Sequence, residues 1–253
     1  MSTYLEFIFL FIIAIIGGVL NKTISGAWFI VFPSLIYNGI QPVIGNSTTA
    51  MILWSEQIAT SEINKRNHEI SKKNIQFMVF ISAIGGFIGA FLLATLSQEI
   101  FKKIAPYLLL FSWFLFAFYH QILIYINSLF EDKKNFKYSH WQLIPLFLLG
   151  IYGGYFGAAL GMLIFALYSF YGVKNKTNLE ALIILILLVN NGIAILVYVW
   201  SGLIYWPYAT IMIAGCIIGG NLGKKFEPKI NLTVVKKILS VIGAIVTLYF
   251  LNL

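Results

Sequence analysis

Side chains that could do chemistry are few in this sequence, and they come in short clusters. Asn21, Lys22, Thr23 and Ser25 interrupt two apolar runs in "IIGGVLNKTISGAWFIVFPSL" at residues 15–35. Asn46, Ser47, Thr48 and Thr49 open the segment that follows, and Thr177, Asn178 and Glu180 open its later counterpart. Glu56 stands in "MILWSEQIA", and Asn190 and Asn191 lie in "LLVNNGIA". An ammonium inside an apolar chain with no acid near it in sequence finds its natural partner in an anion. Hydroxyls and amides supply neutral donors beside it. Glu56, the most deeply placed acid, has two readings: it exchanges protons with transport, or it lies near the cytoplasmic end of its helix. The polar openings at 46–49 and 177–180 also have two, helix caps and a cavity lining.

Enzyme chemistry needs more than these groups. It calls for paired titratable groups, metal-ligand spacing, or a nucleophile with its base. The chain has three His, none in an H-x-x-x-H array, and no G-x-S-x-G. His120 reads as interfacial. Cys216 is the single cysteine, so disulfides and Cys-based metal sites are excluded. No catalytic residue, metal or cofactor is expected.

The elements that position the polar clusters are membrane helices. Of the 253 residues 60% are hydrophobic and 10% charged, with mean hydropathy +0.88. Soluble domains sit near 45–50% apolar and about 25% charged. Aromatics at 17% suit a lipid-facing surface with interfacial belts. The net charge of +8 does not point to nucleic acid, because the basic residues sit in short loops between apolar runs. The N-terminus, "MSTYLEFIF", lacks a basic n-region and a cleavage site, so it reads as a retained membrane segment. Runs of the length needed to cross, about 20 residues, lie at 45–62, 75–97, 104–126, 178–200, 203–222 and 235–252. Residues 4–40 and 141–173 differ. Each reads as two shorter apolar pieces around a break, "GGVLNKTISG" and "GGYFGAALG".

The chain repeats itself. "IGGFIGAFL" at 84–92 matches "IGGNLGKKF" at 218–226 at an offset of 134, and Lys102 and Lys103 fall on Lys236 and Lys237. Gly17 falls on Gly150 and Gly39 on Gly172 at an offset of 133, which sets Tyr155 opposite Lys22. This gives an N-terminal membrane repeat at 1–126, a basic linker "NSLFEDKKNFKYSH" at 127–140, and a C-terminal repeat at 141–253. Placing the loops at 64–74, 127–140, 172–178 and 221–237 in the cytoplasm puts 14 of the 17 basic residues inside. Corresponding loops then fall on opposite faces. The expected fold is all-α and polytopic, with two inverted-topology repeats, each a broken or re-entrant hairpin plus three transmembrane helices.

Backbone that leaves the helix at membrane depth must be buried in protein or line a wet cavity. Thr23 or Ser25 would cap the restart after the first break, with Ala27 to Leu35 as its body. A second restart after Gly157 would meet it near the midplane. Helix N-termini carry positive potential, so the pair would form an anion site. Asn190 and Asn191, costly at mid-span, take an interhelical or cavity role. The Gly85–Gly89 run and Gly215, Gly219 and Gly223 read as close helix packing.

The order and duplication of these motifs resemble the TauE/SafE family of sulfite exporters. The matching residues are Gly17, Gly18, Gly26, Pro33, Gly39 and Asn46-Ser47-Thr48 in the first half. In the second they are Gly153, Gly154, Gly157, Gly161 and Gly172, continuing through Asn190, Gly202, Trp206, Gly215, Gly219, Gly220 and Gly223. The resemblance covers nearly the whole chain. It implies transport of small sulfur-containing anions, sulfite or organosulfonates such as sulfoacetate, by alternating access in a bacterial-type cytoplasmic membrane. A passive anion channel, or a permease for a carboxylate, sulfate or thiosulfate, is the alternative. The expected substrate ligands are Asn21, Lys22, Thr23, Ser25, Gly26, Trp28, Asn46, Thr48, Gly154, Gly157, Asn178 and Asn190. Where the family runs Gly-Gly-Gly this chain has "SGAWF", and Trp28 would narrow the approach or stack on an organic tail. The expected partners are the anion, the lipid bilayer and, for the assembly, a homodimer.

The orientation is open to a direct test. A cysteine placed in the 199–206 loop should react with an impermeant reagent from outside the cell, and one in the 64–74 loop should be protected. The reverse pattern overturns the inverted assignment.

Overall fold

The computed structural model describes residues 3–61, 70–129, 139–171, 173, 176–226 and 231–251. Most of the 127–140 linker, Gly172, part of the basic loops at 64–74 and 221–237, and the side chain of Thr177 lie outside the described residues. The described residues form ten α-helices and one short 3₁₀ turn, with no strand. In chain order these are α1 Thr3–Ile24, α2 Trp28–Tyr37, α3 Pro42–Thr60, α4 Lys72–Thr95, α5 Gln98–Leu129, α6 Leu143–Tyr155, α7 Leu160–Phe170, α8 Lys176–Trp200, α9 Trp206–Phe226 and α10 Leu232–Leu251. Five of them, α1, α4, α5, α8 and α10, contain stretches long and apolar enough to cross a membrane.

The first expected break is placed differently. Asn21, Lys22 and Thr23 are not between two helices; they are the last turn of α1, a continuous helix of 22 residues. At 1.5 Å per residue that is about 33 Å, a full crossing. The chain leaves the helix only at Ser25, whose φ of 54° is left-handed. α2 restarts at Trp28 and has 10 residues, about 15 Å, half a crossing. Neither expected cap acts as one. The Thr23 hydroxyl donates back to the Val19 carbonyl, Ser25 is exposed, and Ala27 occupies the N-cap position without a side-chain bond. In the second half α6 has 13 residues and α7 has 11, and both fall short of a crossing. Between them Gly157 and Ala159 take φ of 84° and 60°.

Two helix ends show why glycine stands where it does. After α2, Gly39 has φ of 82°, with its N–H bonded to the Ile36 carbonyl and that of Ile40 to Leu35. After α8, Gly202 has φ of 67°, with its N–H bonded to Val199 and that of Leu203 to Tyr198. Both are Schellman ends, which need a left-handed residue at that position.

The helices group into two compact units. Unit 1 comprises Met1–Ser61, Leu93–Ala117 and Tyr198–Leu253, and unit 2 comprises Glu62–Leu92 and Phe118–Val197. In unit 1, α1 and α9 lie backbone to backbone. A Cβ on Gly18 would land on the Cys216 carbonyl oxygen, and one on Gly219 on that of Ile15. The contacts advance together, Phe11 on Gly215, Ile15 on Gly219 and Val19 on Gly223, so the two helices run parallel. Around α2 the packing is aromatic: Phe29 meets Phe116, Phe32 stacks on Phe250, and the Trp113 indole donates to the Ser240 carbonyl at 2.7 Å. In unit 2, α4 and α6 make the same kind of contact. A Cβ on Gly89 would land on the Ile151 carbonyl and one on Gly154 on that of Gly86, while Gly85 faces Phe147 and Gly150.

Gly18→Ala should therefore lower the melting temperature of the purified protein, at a cost of about 1–3 kcal/mol or more, because backbone rather than a flexible side chain must move. Gly161→Ala is the control. Its Cβ would meet only the ends of Leu187 and Ile183, at 3.3 and 3.9 Å, and should cost less than about 1 kcal/mol.

Candidate functional site

The parallel packing of α1 on α9 brings a third helix into register. The Tyr205 N–H, just before α9, donates to the Thr48 hydroxyl of α3 at 3.0 Å. Further along, Gly220 of α9 lies against Glu56 and Thr60 of α3. The last turns of α1 and α3 thus end side by side, which brings Lys22 and Glu56 into one cluster.

Glu56 is buried to 1% exposure. A carboxylate so placed must be paired or fully bonded. Its Oε2 accepts from the Asn21 amide and its Oε1 from the Thr60 hydroxyl, each at 2.6 Å. The Lys22 ammonium donates to the Thr60 carbonyl at 3.0 Å and acts on the Glu56 charge electrostatically. A cation on the last carbonyls of a helix is favourable for that helix as well. Glycine at 220 is what leaves room, since a Cβ there would land on Glu56 Oε1. Thr60 is the joint of the cluster, with its side chain on the acid and its carbonyl on the base.

The expected ligands divide between places. Asn21 and Lys22 come together, with Thr23 turned back on its own helix and Ser25 and Gly26 in the turn beyond. Gly26 faces Leu239 and Phe116, and Trp28 is buried at the start of α2. Asn46, Ser47, Thr48 and Thr49 are fully buried but do not cap α3, which begins at Pro42 with Gln41 as its N-cap. Ser47 and Thr49 bond back to the Val43 and Gly45 carbonyls. Thr48 lies eight residues before Glu56 on α3, about 12 Å along the axis, outside the Lys22 cluster. In unit 2, Gly154 packs on Gly86, Gly157 sits in the turn after α6, and Asn178 is buried in the first turn of α8. Asn190 is fully buried; its Nδ2 donates to the Ser82 carbonyl at 2.7 Å and reaches Ser82 Oγ and the Gly150 carbonyl at 3.2 Å. Asn191 is half-buried, and His120 is exposed.

Thr60 and Gly220 were not expected, and a signal for their cluster was present. Glu56 and Asn190 stand 134 residues apart, as do Gly86 and Gly220. Asn190 lies against Gly86 as Glu56 lies against Gly220. In each unit a glycine-bearing helix of one half packs on the first helix of the other and leaves a slot for one polar side chain.

Two cavities lie elsewhere in the units. One of about 490 Å³, in unit 2, is lined by Pro145, Leu148, Leu163, Leu167 and Phe170 of α6 and α7 and is apolar. One of about 190 Å³, in unit 1, is lined by Ile36, Pro42, Lys102, Ala105 and Phe250. Among the described residues no group of three or more His, Cys, Asp or Glu is placed to hold a metal ion.

A family model described as sulfite exporter TauE/SafE matches residues 10–250. The chain belongs to the TauE/SafE family. Among curated proteins, sequence similarity extends along nearly the whole chain. A Haemophilus influenzae "probable membrane transporter protein" is 23% identical over 94% of this chain and 91% of its own length. A "probable membrane transporter protein ORF9" from Sinorhizobium sp is 25% identical over 93% of this chain and 88% of its own. The Escherichia coli K12 "probable membrane transporter protein YfcA" is 20% identical over 94% and 87%. No solved structure matches. TauE/SafE membership and the apolar helices make this a multi-pass membrane protein of a transporter family.

Proposed function

We propose that the protein is a secondary transporter that moves small sulfur-containing anions, sulfite or organosulfonates such as sulfoacetate, across the cytoplasmic membrane by alternating access. The observation that carries this reading is the TauE/SafE match over residues 10–250. In support of a place for the anion, Lys22 lies in the last turn of α1, ahead in the chain of the turn Ser25–Ala27 from which α2 restarts. Asn21 and Ser25 flank it as neutral donors, and the positive N-terminal end of α2 follows within the same turn.

The two halves, 1–126 and 141–253, act as inverted repeats in this reading. Support comes from direction: α3 and α9 run parallel in unit 1 and α4 and α6 in unit 2, as the loop charges require. Further support is the Glu56–Gly220 and Asn190–Gly86 pairing at one offset.

Thermal stabilisation of the purified protein by sulfite, sulfate, thiosulfate, sulfoacetate, taurine, acetate and phosphate tests the substrate class. A true ligand at 100 times its Kd should add about 2.7 kcal/mol if it binds only the folded state. The gain should be confined to sulfite and sulfonates and be lost in Lys22→Ala. Equal stabilisation of that variant removes Lys22 from the site, and no gain with any anion removes the substrate assignment. Saturable counterflow in vesicles marks a carrier; its absence with anion flux intact marks a channel.

A further inference from the structure

We propose that Glu56 and Lys22 form a charge-compensating pair through which binding of the anion takes up one proton, so that the protein couples anion transport to protons. The inference rests on the reading of Lys22 as the anion's ligand. Without anion, the Lys22 ammonium is balanced by the Glu56 carboxylate, with Thr60 bonded to both. An anion brought onto Lys22 sets a second negative charge beside a carboxylate that is almost wholly buried. Repulsion between like charges at such distances is several-fold stronger there than in water. A proton moving from water onto a Glu56 oxygen makes the group a neutral acid and leaves the ammonium to the anion. Removal of the anion from the protonated state leaves Lys22 uncompensated, which expels the proton. Each ligand therefore strengthens binding of the other by the same factor.

The hydrogen bonds permit both states. Asn21 presents an amide N–H to Oε2 and can go on doing so when the acid is neutral. Thr60 meets Oε1 with a hydroxyl, which donates to a carboxylate and, on rotation, accepts from a carboxylic acid. A slot built only from fixed donors would hold the charged form alone. Among the described residues, the charged and titratable groups that face Glu56 are Lys22 from α1 and Cys216 from α9, and its own helix contributes the neutral Thr60. Gly220 closes the slot with backbone. Asn190, at the equivalent address in unit 2, carries no charge, which assigns the proton to unit 1.

Calorimetry of sulfoacetate binding, run in buffers of different ionisation enthalpy, reads the proton directly. Sulfoacetate keeps its charge near neutral pH. The wild-type protein should take up close to one proton per anion, with affinity rising about tenfold for each pH unit lowered. In Glu56→Gln, uptake should vanish and affinity become independent of pH. Anion binding without proton uptake in the wild type, undiminished uptake in Glu56→Gln, or a requirement for sodium in place of the pH response would each overturn the proposal. Infrared difference spectra on acidification give a readout that needs no anion. A protonated-carboxyl band in the wild type that is absent from Glu56→Gln keeps the proton site even if no anion binds, in which case the substrate reading fails alone. Absence of that band from the wild type overturns this proposal.

Discussion

Everything in unit 1 depends on the distance between two backbones. α1 can lie directly on α9 because Gly18, Gly215, Gly219 and Gly223 put no side chain between them. In lipid there is no hydrophobic gain from pairing two apolar helices, so close van der Waals contact between small residues must hold them. That contact fixes the register. It sets Gly18 against Gly220 and Lys22 against Gly223, and α3 presents Glu56 and Thr60 to Gly220, within reach of the last turn of α1. The polar cluster is a consequence of helix packing and has little to do with the loops.

The two units use this device to different ends. In unit 2 the slot holds an amide, and Asn190 ties α8 to α4 and α6 through the Ser82 and Gly150 carbonyls. An amide in that place is a neutral cross-link. In unit 1 the slot holds an acid, answered by an amide, a hydroxyl and an ammonium from two helices. On the proposed repeat relation, the geometry is kept and one side chain changes from amide to carboxylate, which is what would let the charge of the site change.

The sequence made the helices legible, because long apolar runs with charged loops leave few alternatives. It also made the glycine packing legible, since spacing by four puts Gly215, Gly219 and Gly223 on one face. The end of α1 was hidden. Asn21-Lys22-Thr23 looks like an interruption when only sequence neighbours are visible, but the partners of Asn21 and Lys22 are Glu56 and Thr60, 35 and 38 residues away, and Thr23 bonds back to Val19 on its own helix. A polar turn that is paired across helices does not need to leave the helix. Of the two readings of Asn46 to Thr49, caps or a cavity lining, the cap fails: Pro42 begins α3 earlier, and Ser47 and Thr49 satisfy themselves on carbonyls one turn back.

The central claim is that Lys22 and Glu56 are energetically one unit. A double-mutant cycle on thermal stability, with Lys22→Met, Glu56→Gln and the pair together, measures this directly. Each single change should leave a charge without its partner, and the double should cost less than the sum, with a coupling of about 0.5–3 kcal/mol. Additive losses would mean that the two groups share a place without sharing a charge, and the account of the site would fail.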